Sequence, residues 1–167
     1  MAEIHEMHLD APSLKAAFRC FPSGVTALCA LVDGQPVGMA VSSFTSVSLD
    51  PPLVSVCIQN SSSTWPILKT AERLGVSILG SDQHGAGHKL AAKTADRFQD
   101  IAWEASTAGA VFVSNAALHL ACSIHKSIEA GDHEIVLLRL QNLRINPDVE
   151  PLVFHRSRFR RLEALTD

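Results

Sequence analysis

The sequence predicts a mainly β fold, a closed or nearly closed antiparallel barrel with helices at its periphery. Six or more stretches carry strand period or β-prone composition, against two or three that carry helical period. Two short glycine-containing signals, Asp33-Gly34 and Gly131-Asp132, each join a pair of strands into a hairpin. Helices and strands do not alternate regularly, as parallel βαβ units would require.

The elements follow in order. APSLKAAFRCF (11–21) places Leu14, Ala17, Phe18 and Phe21 near helical spacing behind Pro12-Ser13, so a short helix leads in. GVTALCALVDGQPVGMAVSSF (24–44) reads as two strands about Asp33-Gly34. After the Asp50-Pro51-Pro52 break, LVSVCIQ alternates apolar and polar positions as a half-buried strand does. Residues 64–72 read as a short helix, 73–79 as a strand, and Ser81-Asp82 as the cap of a helix running through HKLAAKTADRF (88–98). AVFVS, ALHLACSIHKSIEA and HEIVLLRLQNLRI then continue the β pattern, the last two pairing antiparallel about Gly131-Asp132. PLVFHRSRFRRL (151–162), after Asn146-Pro147, adds one short strand.

With 167 residues, 47% of them apolar, the chain has enough material for one core. The expected organisation is an N-terminal arm over 1–12 and a single domain over 13–167. A net charge of −3 without any block of like charges argues against nucleic acid as a partner. No apolar run approaches the roughly 18 residues that cross a bilayer, and MAEIHEMHLD is acidic where a signal peptide would be basic. The expectation is a cytoplasmic protein that does not enter the membrane. Cys20, Cys29, Cys57 and Cys122 are scattered among apolar neighbours and read as reduced core thiols.

Several kinds of chemistry lack their parts. His84 and His88 are spaced for one helix face, but no HExxH motif or further ligand set accompanies them, and no metal is expected. Gly85-Ala86-Gly87 falls short of a dinucleotide fingerprint, and neither a GxSxG elbow nor a P-loop is present.

Two stretches remain. Residues 38–65 hold ten serines and threonines, ending in Ser61-Ser62-Ser63-Thr64 after a strand. Hydroxyls and successive backbone N–H groups in that position suit a phosphate, although an ordinary helix cap would have the same composition. In Gly131-Asp132-His133 the glycine permits a sharp turn that fixes an imidazole at a strand start, where it serves either as a simple exposed turn residue or as a hydrogen-bonding group of a site.

Taken in order, FPSGVTAL (21–28), GMAVSSFTSVSLDPPLVSVCI (38–58), SSSTWPIL (61–68), LAAKTADRF (90–98) with Trp103, GDHEIVLLRL (131–140) and PLVFHRSRFRRL (151–162) resemble the flavin reductase family. These are FMN-binding split barrels that act as reductase components of two-component flavin-dependent monooxygenases. The resemblance implies a six-stranded antiparallel split barrel, a homodimer, FMN or FAD as the flavin, and NADH or NADPH as the reductant. It also implies a separate oxygenase as functional partner.

By that resemblance Met39, Ala40, Val41, Ser42 and Ser43 run along the flavin ring. Gln59, Asn60, Ser61, Ser62, Ser63 and Thr64 hold its ribityl chain and phosphate, with the ligand satisfying hydroxyls the protein leaves unpaired. Arg97, with Lys93 upstream, supplies positive charge near the phosphate. His133 is the expected catalytic residue, helping to receive the nicotinamide. Its work is positional, because hydride transfer needs the two reacting atoms about 3–3.5 Å apart and the chemistry belongs to the cofactors. The chain has no tyrosine, and Phe154 and Phe159 flank His155 where relatives often carry a phenol. The implied function is an NAD(P)H:flavin oxidoreductase that releases reduced flavin to a monooxygenase. The competing readings are a reductase with tightly bound flavin and a non-enzymatic flavin- or haem-binding module.

Overall fold

The structure is a computed structural model that describes residues 8–93 and 96–165. In chain order its elements are α1 (Ala11–Phe18), β1 (Ser23–Gly24), β2 (Thr26–Val32), β3 (Gln35–Val41), β4 (Thr45–Leu49), β5 (Pro52–Gln59), α2 (Trp65–Leu68), β6 (Leu74–Ile78) and α3 (His84–Ala91). They continue with β7 (Trp103–Ala105), β8 (Val111–Val113), β9 (Leu118–Ala130), β10 (His133–Ile145), β11 (Val153–His155) and β12 (Arg158–Arg160). Seven strands make one antiparallel sheet in the order β3-β2-β6-β9-β10-β5-β4. That is one strand more than the six expected, and among the described residues no ladder joins the edges β3 and β4 into a closed barrel.

Both expected hairpins form. Val32 faces Gln35 across Asp33 (φ 50) and Gly34 (φ 76), the mirror-image turn whose twist matches the strands. Ala130 faces His133 across Gly131 (φ 65) and Asp132.

The sheet is covered on both faces along β2 and β6. Leu28 and Ala30 pack with Val54, Val56, Leu120 and Val136 on one side, while Ala27 and Cys29 pack with Leu79, Leu90 and Val111 on the other. A strand buried twice reads as a continuous apolar run, which is why TALCALV shows no alternation and β5 does. The second core depends on Gly75: a Cβ there would lie 1.9 Å from the Val111 carbonyl oxygen, so β8 crosses β6 backbone to backbone.

Other elements depart from expectation. The helix expected to run from Ser81-Asp82 through residue 98 is α3, which starts at His84 but ends early, as Ala92 turns extended; residues 94 and 95 of the expected span lie outside the described residues. Buried Gly87 lets α3 settle onto Phe159 and Val25, where a Cβ would meet them at 3.3 and 3.4 Å. Beyond α3, Phe98 packs into the second core and Arg97 reaches β3, contacts a continued helix would forfeit. The Ser81-Asp82 cap does not form; Gln83 occupies the cap position, receiving Gly80 N–H at 2.8 Å and donating to the Ser114 carbonyl at 2.7 Å. The helix expected over 64–72 is one turn, Trp65–Leu68, and the tail forms two short strands around Arg156-Ser157. Cys29 and Cys122 are core thiols, pushed up to about 12 by burial, whereas Cys20 is exposed because α1 buries none of its residues. No helix among the described residues is long and apolar enough to cross a membrane.

Candidate functional site

Three expected segments meet at one end of the main sheet. β3 is an edge strand paired only with β2, and its Gly38 carbonyl points away from β2 towards Arg97. By strand alternation the N–H and C=O of Ala40 face that same open side, leaving a backbone donor and acceptor for a flat polar edge. Ala40, Val41 and Ser42 also border a groove of about 150 Å³ with Phe154 and Phe159, whose rings stand 5.5 Å apart.

The hydroxyl segment follows β5. Ser62 Oγ accepts from Trp65 N–H at 3.1 Å and lies 3.9 Å from Met39 Sδ, so it satisfies the first amide of α2 and touches β3. Arg97 Nη1 donates to Gly38 O and to Thr64 Oγ1, each at 2.9 Å. One guanidinium thus ties the strand edge to the end of the hydroxyl run. Ser61 and Ser63 are exposed, and among the described residues the amides of Ser63 and Thr64 donate to no protein acceptor. Exposed hydroxyls, free amides and an anchored cation fit a phosphate.

The GDH turn lies beside the same loop. His133 faces Gln59 across the β5–β10 ladder, Asn60 N–H donates to Asp132 O at 2.9 Å, and Asn60 Nδ2 donates to Gly131 O at 3.2 Å. His133 Nδ1 and Asp132 Oδ1 stand 2.7 Å apart, and that hydrogen bond holds the Asp132 carboxyl below its usual 3.8. Asp132 therefore orients the ring, and Nε2 has no hydrogen-bond partner among the described residues.

One expectation is overturned. The buried hydroxyls of 42–64 are not left unpaired for a ligand: Ser43 Oγ accepts from Cys57 N–H at 2.8 Å and donates to Cys57 O at 3.0 Å. Among the described residues the buried side-chain atoms without a partner are Thr26 Oγ1 and Trp65 Nε1 instead. Small hydroxyls here lock the loops onto β3 and β5, and the polar groups open to a ligand are backbone atoms and the exposed serines. Lys93 stands exposed after α3, apart from the Arg97 contacts. The sequence assigns no site role to Gly38 and names Asp132 only as a turn residue; the signals for their roles are the glycine opening GMAVSSF and the acid between Gly131 and His133. His84 and His88 both lie on α3, where the His88 ring packs edge-on to Phe159 at 4.6 Å.

The family model described as "Flavin reductase like domain" matches residues 18–163. The chain belongs to the flavin reductase family. A flavin reductase of Pseudomonas putida is 35% identical over 157 residues, covering 93% of this chain and 92% of its own. The NADH:FAD oxidoreductase of Streptomyces globisporus, solved with NAD and FAD fragments, superposes with a TM-score of 0.89 at 34% identity, covering 95% of this chain and 96% of that one. The reductase subunit of a flavin-dependent monooxygenase from Rhodococcus jostii is 28% identical over 155 residues, covering 93% of this chain and 80% of its own. Within this family the fold, mainly β with a large antiparallel sheet and few helices, is the expected one, and the chain is an oxidoreductase.

Proposed function

We propose that this reductase uses NADH or NADPH to reduce FMN or FAD and hands the reduced flavin to a separate monooxygenase. The observation that carries this reading is the Arg97 bridge, which joins an edge strand suited to a ring's polar edge to a hydroxyl loop suited to a phosphate. A bound flavin supplies the acceptor for the two electrons of the nicotinamide hydride. The open backbone side of β3 around Met39, Ala40 and Val41, continued by Ser42 and Ser43, orients the ring. Gln59, Asn60, Ser61, Ser62, Ser63, Thr64 and Arg97 hold the phosphate-bearing chain. Ser43, Ser62 and Thr64 act from behind, by fixing the backbone around the site. His133, held by Asp132, positions the nicotinamide and moves no proton.

A single domain over 13–167 suffices for the site, with an N-terminal arm over 1–12 whose last two residues begin α1. We place the protein in the cytoplasm, where its free thiols stay reduced. The long β9–β10 hairpin exposes Ile124, Leu143 and Ile145, whose ladder partners Leu138, Leu120 and Leu118 put them on one face of the sheet, where a second copy of the chain would cover them in a homodimer. A light-scattering mass equal to one chain removes that dimer. The central test is nicotinamide oxidation by purified protein with and without added flavin. Colourless protein that consumes NADH or NADPH only when FMN or FAD is supplied supports the diffusible reductase. Yellow protein that oxidises neither donor with flavin present overturns it in favour of a binding module.

A further inference from the structure

Met39 and Ser62 meet where β3 faces the hydroxyl loop. Met39 is half-buried, packed against the core that holds Leu28 and Trp65, and of the chain's three methionines it is the one that lies among the described residues. The Ser62 side chain is half-buried as well, and its hydroxyl has one proton to give. Its oxygen accepts from Trp65 N–H at 3.1 Å, and among the described residues the one acceptor for its proton is Met39 Sδ, 3.9 Å away. A thioether is a weak acceptor, so a good donor is aimed here at a poor partner. An oxygen atom added to Sδ would make that partner a strong one.

The chemistry of a flavin reductase supplies such an oxygen. Reduced flavin that no oxygenase consumes gives two electrons and two protons to dioxygen, leaving oxidised flavin and hydrogen peroxide. A thioether sulfur attacks one peroxide oxygen with its lone pair and the O–O bond breaks. The departing hydroxide then takes the proton from the transferred oxygen, so the products are a sulfoxide and water. Core thiols compete poorly: Cys29 and Cys122 are buried and pushed up to about 12, far from the thiolate form that reacts with peroxide. Met39 instead lies on the edge strand to which the flavin ring is assigned.

We propose that Met39 is an oxidation site, at which peroxide from unclaimed reduced flavin forms a sulfoxide that lowers the protein's affinity for flavin. The proposal rests on the flavin-reductase reading and adds to it a brake on futile turnover. The sulfoxide is polar where the thioether was apolar, so it leaves the apolar cluster and its oxygen takes the Ser62 proton. Ser62 also satisfies the first amide of α2, and Gly38, next to Met39, offers the carbonyl to which Arg97 donates. An oxygen wedged between these two walls therefore disturbs both anchors of the hydroxyl loop at once. Methionine sulfoxide reductases restore the thioether, which makes the change reversible.

The test begins with the wild type alone. One sample turns over under air with NADH or NADPH and FMN but no oxygenase, and a second is treated with hydrogen peroxide. Peptide mass spectrometry should find one added oxygen on Met39 in both. Flavin fluorescence quenching should then show Kd for FMN raised about fivefold or more, returning to its starting value after repair with methionine sulfoxide reductases. Met39→Leu keeps the volume and lacks the reactive sulfur, so its Kd, compared only with its own untreated sample, should move with neither treatment. Met39 left unoxidised, Met39 oxidised with Kd unchanged, or an equal rise in Met39→Leu overturns the proposal; the last result would place the damage at Cys20 or Cys57. Untreated wild type that binds no flavin overturns the flavin-reductase reading itself, and the proposal with it.

Discussion

The Nη1 nitrogen of Arg97 donates simultaneously to the carbonyl of Gly38 and the hydroxyl of Thr64, at 2.9 Å each. These acceptors belong to β3 and to the end of the hydroxyl run, 26 positions apart in the chain, so the side chain is a strut between the two walls of the site. It also brings a permanent positive charge to the loop.

Replacing Arg97 by Ala removes strut and charge together. A charge-assisted hydrogen bond contributes about 1.5–3 kcal/mol, so Kd for FMN should rise about tenfold or more by fluorescence quenching. Arg97→Lys keeps the charge without the forked reach and should fall between the two. A Kd unchanged in Arg97→Ala removes the residue from the site.

His133 is predicted to act on the nicotinamide and not on flavin affinity. His133→Ala should slow anaerobic flavin reduction by about tenfold or more in stopped flow, the scale of a lost positioning contact, while Kd for FMN stays within a few-fold. Asp132→Asn keeps a hydrogen-bonding partner for Nδ1 and should cost less than His133→Ala. Equal losses in rate and affinity for His133→Ala would place the ring on the flavin instead.

Local chemistry made part of this molecule legible. Asp33-Gly34 and Gly131-Asp132 announced their hairpins because a two-residue turn needs positive φ, and both turns contain it. β5 showed its period because one face is buried. What stayed hidden depends on contacts distant in sequence. Among the described residues β4 pairs only along β5, and β7 only with β8. The turn at Arg156-Ser157 has none of the residues that usually mark one. The two stretches that composition leaves as candidates, residues 59–64 and the turn carrying His133, are neighbours in the fold. Whether a serine hydroxyl faces a ligand or a neighbouring strand is a tertiary fact: Ser43 bonds Cys57, 14 positions away.

Gly75 should be the costliest small substitution in the sheet. A Cβ at 1.9 Å from Val111 O cannot be absorbed by a side-chain rotation, so Gly75→Ala must separate β8 from β6 and open the second core. We expect a loss of roughly 3 kcal/mol or more in urea unfolding. Gly38→Ala meets Cys29 Sγ at 2.5 Å and Phe98 Cζ at 3.0 Å, side-chain atoms that can move, and should cost less. Equal unfolding midpoints for Gly75→Ala and the wild type would contradict the packing described.

The last prediction concerns pH. His119 is buried, with Nε2 2.7 Å from Val113 O and Nδ1 2.7 Å from Arg144 Nη2. A carbonyl can only accept and a guanidinium can only donate, so the ring is neutral, with its proton on Nε2. Burial lowers its pKa from the ordinary 6.5, the Val113 hydrogen bond opposing. Adding a second proton would set Nδ1–H against Arg144, whose guanidinium also pairs with Glu104. Because the folded pKa is depressed, the unfolded chain binds more protons in the window just below 6.5. The stability from neutral His119 is thus full above pH 6.5 and declines as the pH falls towards the lower folded value. Urea midpoints measured from pH 7.5 to 5 should fall in the wild type, and the fall should be shallower in His119→Gln. Parallel profiles would show that another group governs the acid limb.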